Sequence, residues 1–244
     1  MSGDEGDEAF PPDGLEPKRQ DHLVAVARGL SGVVPGIGPI AAEVIGHVIP
    51  HQRLDRVASV VRLLGEKVKD LDQAVLQDRM RTERFVDLLE DGIHQSARAL
   101  TEERREHIAT LLKNSLASDD LEHLHEKKLL WLLGQLDDAE LIMLRSYGLP
   151  DDQRREFVER HQAVVRGPSA HMGSDRAELD RAAMHDASRR RLRDLGLIRP
   201  RFRKPKRGAL PEFDEKTGTM KASGHDVTPL GRMLLRQLDL LTDI

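Results

Sequence analysis

The chain has 244 residues, of which 33% are charged, 39% hydrophobic and 3% aromatic, with no cysteine and a formal net charge of −4 at pH 7. Absence of cysteine excludes a disulfide framework, a thiolate-ligated zinc or iron–sulfur site and a thiol nucleophile, and it suits a reducing compartment. With one Trp, one Tyr and five Phe, the core must be built from aliphatic residues, which predicts a mainly α fold in one or two domains.

Charge is distributed unevenly. Residues 1–20 hold six acids against Lys18 and Arg19, and their Gly, Pro and acid content predicts a disordered acidic tail. That tail offers neither a basic n-region nor a cleavable apolar stretch, so no secretory signal and a cytoplasmic location are expected. Residues 187–207 carry ten Arg and Lys against Asp194, a local charge of +9, whereas 119–160 hold eleven acids against six bases. The molecule is polarised along its length.

Residues 23–50, LVAVARGLSGVVPGIGPIAAEVIGHVIP, are the most apolar stretch, with Arg28, Glu43 and His47 their only ionisable side chains. A membrane-spanning helix needs about 20 apolar residues in a row, and Pro35, Gly36, Gly38 and Pro39 divide this run into two shorter pieces. The pattern predicts a short helical hairpin, suited to burial, to an oligomer interface or to a membrane interface. Leu54, Val57, Val61, Leu64, Val68, Leu71 and Val75 then alternate spacings of three and four, a heptad seam for packing against another copy or another helix of the same chain. The seam fails at Asp78 and Thr82. It is taken as the oligomer seam of a homo-oligomer.

A second helical stretch runs through Phe85, Leu88 and Leu89, and Thr101 caps a third through Ile108, Leu111, Leu112 and Leu116. A helix opening near Asp119, with Glu122 completing a capping pair, carries Leu124, Leu129, Leu130, Leu132 and Leu133; Trp131, surrounded by leucines, is expected in the core. Asp137 with Glu140 opens the next helix, ended by Gly148 and Pro150, and a polar helix follows over 155–165. After a break at 166–174, Asp175 with Glu178 caps a long helix to about Asp194. Residues 196–202 alternate as a strand, 203–224 form a Gly-, Pro- and Lys-rich excursion, and 225–227 resume a strand. Thr228 and Pro229 stand at N-cap and N1 of a final helix. The expected organisation is a tail (1–20), a helical oligomerisation or interaction module (21–136) and a C-terminal domain (137–244).

This order of elements, with Leu192, Leu195, Gly196, Leu197 and Ile198 before the excursion and Val227, Thr228, Pro229, Leu230, Gly231, Leu234 and Leu235 after it, resembles the winged-helix (helix-turn-helix) domain of bacterial regulators over about 137–241. The resemblance implies a recognition helix at about 175–194 that enters the DNA major groove and a wing at about 199–222 that touches the backbone or minor groove. The long loop 166–174 departs from the compact spacing of that family. Residues 23–64 also resemble an apolar hairpin, with prolines before an Arg-rich helix start, of uncharacterised bacterial proteins, a likeness that assigns no activity.

Clustered Arg and Lys supply sequence-independent affinity for phosphate by displacing counterions, and Arg can bridge two acceptors on a guanine edge. The candidate nucleic-acid contacts are Arg189, Arg190, Arg191, Arg193, Arg201, Arg203, Lys204, Lys206 and Arg207, with duplex DNA as partner; Phe202, between them, is expected to pack inward. The alternatives are a solvated basic face or docking onto the acidic stretch 119–160 of the same or another molecule. The glycines of Gly36-Ile37-Gly38-Pro39 lack the strand-to-helix context of a dinucleotide site, and Pro39 removes a backbone donor. No phosphate loop or HExxH motif occurs. His123 and His125 point about 200° apart on a helix and read as surface residues. No catalytic constellation, metal or cofactor is expected. The alternative function is an interaction protein, self-assembling or membrane-associated through 23–50, of defence-effector or adaptor type.

Overall fold

A computed structural model describes residues 53–116, 123–168, 171, 173–203, 212–213, 218 and 220–241. The acidic tail, the apolar run 23–50 and the helix start expected at Asp119 and Glu122 lie outside the described residues. Ten helices and one two-stranded antiparallel sheet appear among those described, so the fold is mainly α with a small C-terminal β-hairpin. The chain divides into two compact units, 1–119 and 120–244, so the helix of residues 123–135 falls in the second unit and not with the N-terminal module.

The first unit holds α1 (Leu54–Val68), α2 (Gln73–Met80), α3 (Glu83–Ser96) and α4 (Glu102–Ser115). Leu54, Val57, Val61, Leu64 and Val68 are all buried, and α1 packs against α4 and α3 of its own chain. The heptad seam is therefore consumed inside the unit, where Leu88, Leu89, Ile93, Ile108, Leu111 and Leu112 complete the core. It also ends seven residues early. Asp72 accepts from the backbone N–H groups of Ala74 and Val75 at 2.9 and 3.3 Å, starting α2 in a new direction, and Leu71 and Val75 are left exposed. Both corrections have the same cause: an apolar stripe specifies a buried face but not whose atoms bury it, and an Asp at N-cap resets the helix axis. Thr101 caps α4 as expected, accepting from Arg104 N at 3.2 Å.

The second unit runs α5 (His123–Gln135), α6 (Asp138–Gly148), α7 (Asp151–Arg160), α8 (Gln162–Val165), α9 (Arg176–Asp194), β1 (Ile198–Phe202), β2 (Ala222–Val227) and α10 (Pro229–Gln237). Leu130, Leu133, Leu144, Leu192, Leu197, Leu234 and Leu235 are fully buried at its centre, with α6 packed against α9, α10 and β2. The capping signals are realised atom for atom. Asp137 accepts from Glu140 N at 2.7 Å while Glu140 accepts from Asp137 N at 2.9 Å; Asp175 accepts from Glu178 N at 2.7 Å; and Thr228 accepts from Gly231 N at 3.1 Å. Gly196, at φ +73°, closes α9 in the left-handed conformation, with Leu197 N donating to Leu192 O at 2.9 Å and turning the chain into β1.

β1 and β2 pair with Ile198 opposite Val227 and Arg201 opposite Gly224, a bulge intervening before Phe202 meets Ala222. The pairing extends past the named strands through a bridge between Phe213 and Met220 and a bond from Lys221 N to Glu212 O at 2.8 Å. The second strand thus begins at Ala222, three residues before the expected 225. Trp131 is not in the core: it is 46% exposed, with the Lys128 ammonium 4.0 Å from its ring centre, and Leu124 on the same helix is 77% exposed.

Candidate nucleic-acid interface

The C-terminal half of α9 and the hairpin that follows form the walls of a surface groove of about 500 Å³. Positions 189, 190 and 193 fall within about 100° of one another around a helix. Arg189, Arg190 and Arg193 accordingly line one wall, and Lys221 joins them from the hairpin. Phe202, Met220 and His225 supply less polar surface between these cations. Phe202 is 44% exposed, a correction to its expected inward packing: the bulge at Arg201/Phe202 shifts the alternation of β1 and leaves the ring on the groove.

The groove's charge is partly balanced. Arg189 is ion-paired with Asp186, and Arg193 Nε lies 3.9 Å from Asp194. Arg190 is exposed and has no ion pair among the described residues. His225 lies against Tyr147 of α6, ring centres 5.9 Å apart. Burial lowers the proton affinity of His225, Arg189 and Arg193 lower it further, and Asp226 partly opposes them. Burial raises the Tyr147 hydroxyl pKa, against the pull of Arg189 and Arg154. The imidazole is thus held near cations that would welcome an anion in their midst.

The remaining sequence candidates separate from this cluster. Arg191 faces elsewhere: its Nε donates to Gln135 O at 2.9 Å and approaches Glu140 Oε2 at 3.7 Å, so it ties α9 to the α5–α6 junction. Its position, about 160° around the helix from Arg193, was a signal available in the spacing. Arg201 Nη1 lies 3.4 Å from Asp226 across the hairpin, and the side chain passes over Gly224, where a Cβ would stand 2.9 Å from Nη2. Arg203 is exposed just past β1. Lys204, Lys206 and Arg207 lie outside the described residues. Lys221 and His225, which the charge-run reading missed, could be found only from strand register. Among the described residues no group of three His, Asp or Glu could hold a metal ion.

Chemically, the surface offers guanidinium and ammonium donors for phosphate oxygens around a ring and a thioether that can touch sugar or base. Comparison with protein families, curated proteins and solved structures finds no match of any of the three kinds, and the reading of this surface rests on its geometry.

Proposed function

We propose that residues 137–241 form a winged-helix module that binds duplex DNA, in a regulatory, non-enzymatic protein of the cytoplasm. One observation carries the reading: Arg189, Arg190 and Arg193 of α9 and Lys221 of the hairpin converge on one groove. The succession of helix, long helix, strand, excursion, strand and capped helix over Asp138–Gln237 supports it. With the seam buried, the proposal assigns no oligomer interface to 54–75. An electrophoretic binding assay on duplex DNA, repeated at two salt concentrations, tests the reading. Affinity should fall steeply with salt, and Arg190→Ala with Arg193→Ala should weaken binding and flatten the slope by about 0.9 per lost phosphate contact. Salt-independent binding, or a double variant indistinguishable from the parent, would sink it.

A second reading, an interaction protein using 23–50 with the C-terminal unit as docking module, is favoured by exposed Leu124 and Trp131, seven residues apart on one side of α5. No helix among the described residues is long and apolar enough to cross a membrane. Flotation of the full chain and of a 23–50 deletion with anionic liposomes tests this reading; identical, wholly soluble behaviour excludes lipid association.

A further inference from the structure

At the junction of α6 with α10, the second unit contains a cavity of about 330 Å³ that is separate from the α9–hairpin groove. Three arginines line it from two helices: Arg145 from α6, Arg232 and Arg236 from α10. Leu149 and Leu240 give it apolar wall, and among the described residues lining it Asp239 is the one acid. A volume of this size is at the lower end of small-ligand sites, and three convergent arginines on an apolar wall suit a ligand with an oxyanion head and a hydrocarbon body.

Two features show that the arrangement is built at a cost to the fold. Arg145 Nε is buried and has no hydrogen-bond partner among the described residues, although buried donors are nearly always satisfied. The guanidinium is stacked 5.1 Å above the Phe157 ring, and burial, followed by the nearby charge of Arg160, lowers its pKa. The second feature is Asp239, which holds φ +54° where α10 ends. Asp239 N donates to Arg236 O at 2.9 Å and Leu240 N to Leu235 O at 2.8 Å, a helix stop that ordinarily takes glycine. This turn directs Leu240 back to the cavity wall. Among the described residues, the cations lining the cavity outnumber its acid by two.

We propose that this cavity binds a small organic anion, a carboxylate or phosphate monoester, with its oxyanion on Arg145, Arg232 and Arg236 and its hydrocarbon part against Leu149 and Leu240. The site is independent of the nucleic-acid reading, and α6 links the two places physically: Arg145 lines the cavity, and the ring of Tyr147, two residues on, is tilted 54° against His225 of the groove.

Isothermal titration of the full chain with phenyl phosphate, and with inorganic phosphate, at constant ionic strength tests the proposal. Phenyl phosphate should bind saturably and more tightly than inorganic phosphate, because only the former uses the apolar wall. Arg232→Gln, an exposed position that leaves the core intact, should weaken binding about tenfold, the loss expected for one charge-assisted hydrogen bond. Asp239→Asn keeps a residue tolerant of positive φ while removing the opposing charge, and should tighten binding several-fold. Arg190→Gln in the groove should change nothing. Absence of saturable binding overturns the proposal, as does equal weakening by Arg190→Gln and Arg232→Gln, which would report nonspecific attraction to the basic surface. Loss of duplex affinity in Arg232→Gln with no loss of phenyl phosphate binding would likewise reassign the arginine to nucleic acid and overturn it.

Discussion

Replacing Gly231 with alanine should destabilise the second unit at least as much as loss of a helix cap. Gly231 is the third residue of α10, where alanine is intrinsically the better helix former by about 1 kcal/mol and also restricts the unfolded chain by about 0.4–1 kcal/mol. Packing reverses that preference. A Cβ there would collide with the carbonyl oxygen of Leu197, stand 3.2 Å from its carbonyl carbon and 2.8 Å from Val227 Cγ2. The Leu197 carbonyl cannot retreat, because it accepts from Thr228 N at 3.0 Å while Leu197 N is held by Leu192 O at 2.9 Å and the Thr228 hydroxyl donates to the adjacent Gly196 O at 2.6 Å. Moving α10 outward instead breaks at least one of those bonds, about 1 kcal/mol each, and opens the packing at Leu234 and Leu235, where overpacking costs about 1–3 kcal/mol. After subtracting the propensity gain, we expect a net loss of about 1–3 kcal/mol, a large share of an ordinary domain's stability. The chain's single tryptophan, Trp131, belongs to this unit, so urea unfolding followed by its emission isolates the transition of interest. A midpoint for Gly231→Ala within about 0.5 kcal/mol of the parent would refute the argument that the α9–β1 corner is pinned against α10.

Other outcomes follow from the same geometry. Arg191→Ala should destabilise the second unit by about 1–2 kcal/mol, since Glu140 is buried while Arg191 is half exposed and its pairing is partly screened, yet leave duplex affinity unchanged in the binding assay. Leu64→Ala in the seam should cost about 2–5 kcal/mol in the first unit without altering the molecular mass in solution; a loss of mass with stability retained would restore the seam as an interface between copies. His225 has a folded proton affinity below its ordinary value of 6.5, so the unfolded chain takes up the proton first, and stability should fall as pH drops below about 6.5 and stay level above it. His225→Gln should flatten that fall when urea midpoints are compared at about pH 7.5 and about pH 5.5, and a parent chain with no slope in this window would contradict the assignment.

The elements most legible in the sequence were those decided within one helical turn. Asp137 with Glu140, Asp175 with Glu178, Thr101 and Thr228 before Pro229 each satisfy an N–H three residues away, so their consequences are local and the residue types reveal them. The two strands around the excursion were legible in their alternation, although β1 starts at Ile198, after the left-handed turn at Gly196, and β2 begins at Ala222. Destinations of side chains were less so. Leucines surround Trp131 in sequence, but a helix half-covered by neighbours has room inside for Leu129, Leu130, Leu132 and Leu133 and leaves the indole outside. Arg191 was counted with its neighbours because a charge run is one-dimensional, whereas the helix turns it toward Gln135. Phe202 was displaced by a bulge that no propensity announces.

The charge run conceals a further division, within α9 itself. From Asp175 to Ala187 the helix carries four acids (Asp175, Glu178, Asp180 and Asp186) against Arg176 and Arg181, and it exposes Leu179 and Met184. Arg189, Arg190 and Arg193 all lie past that stretch. If duplex DNA is the partner, phosphate attraction must act through the end of α9 and the hairpin, because a phosphate placed along 175–186 meets net negative charge. The first half of the helix can then contribute apolar contact, as with a thymine methyl, and acceptors for cytosine amino groups, but little of the salt-dependent affinity. Arg176→Ala with Arg181→Ala should therefore change the salt slope by less than Arg190→Ala with Arg193→Ala, and Asp180→Asn should raise affinity for all duplexes alike. Equal slopes for the two double variants would show that the whole helix lies along the backbone, and the groove would lose its claim to be the centre of the interface.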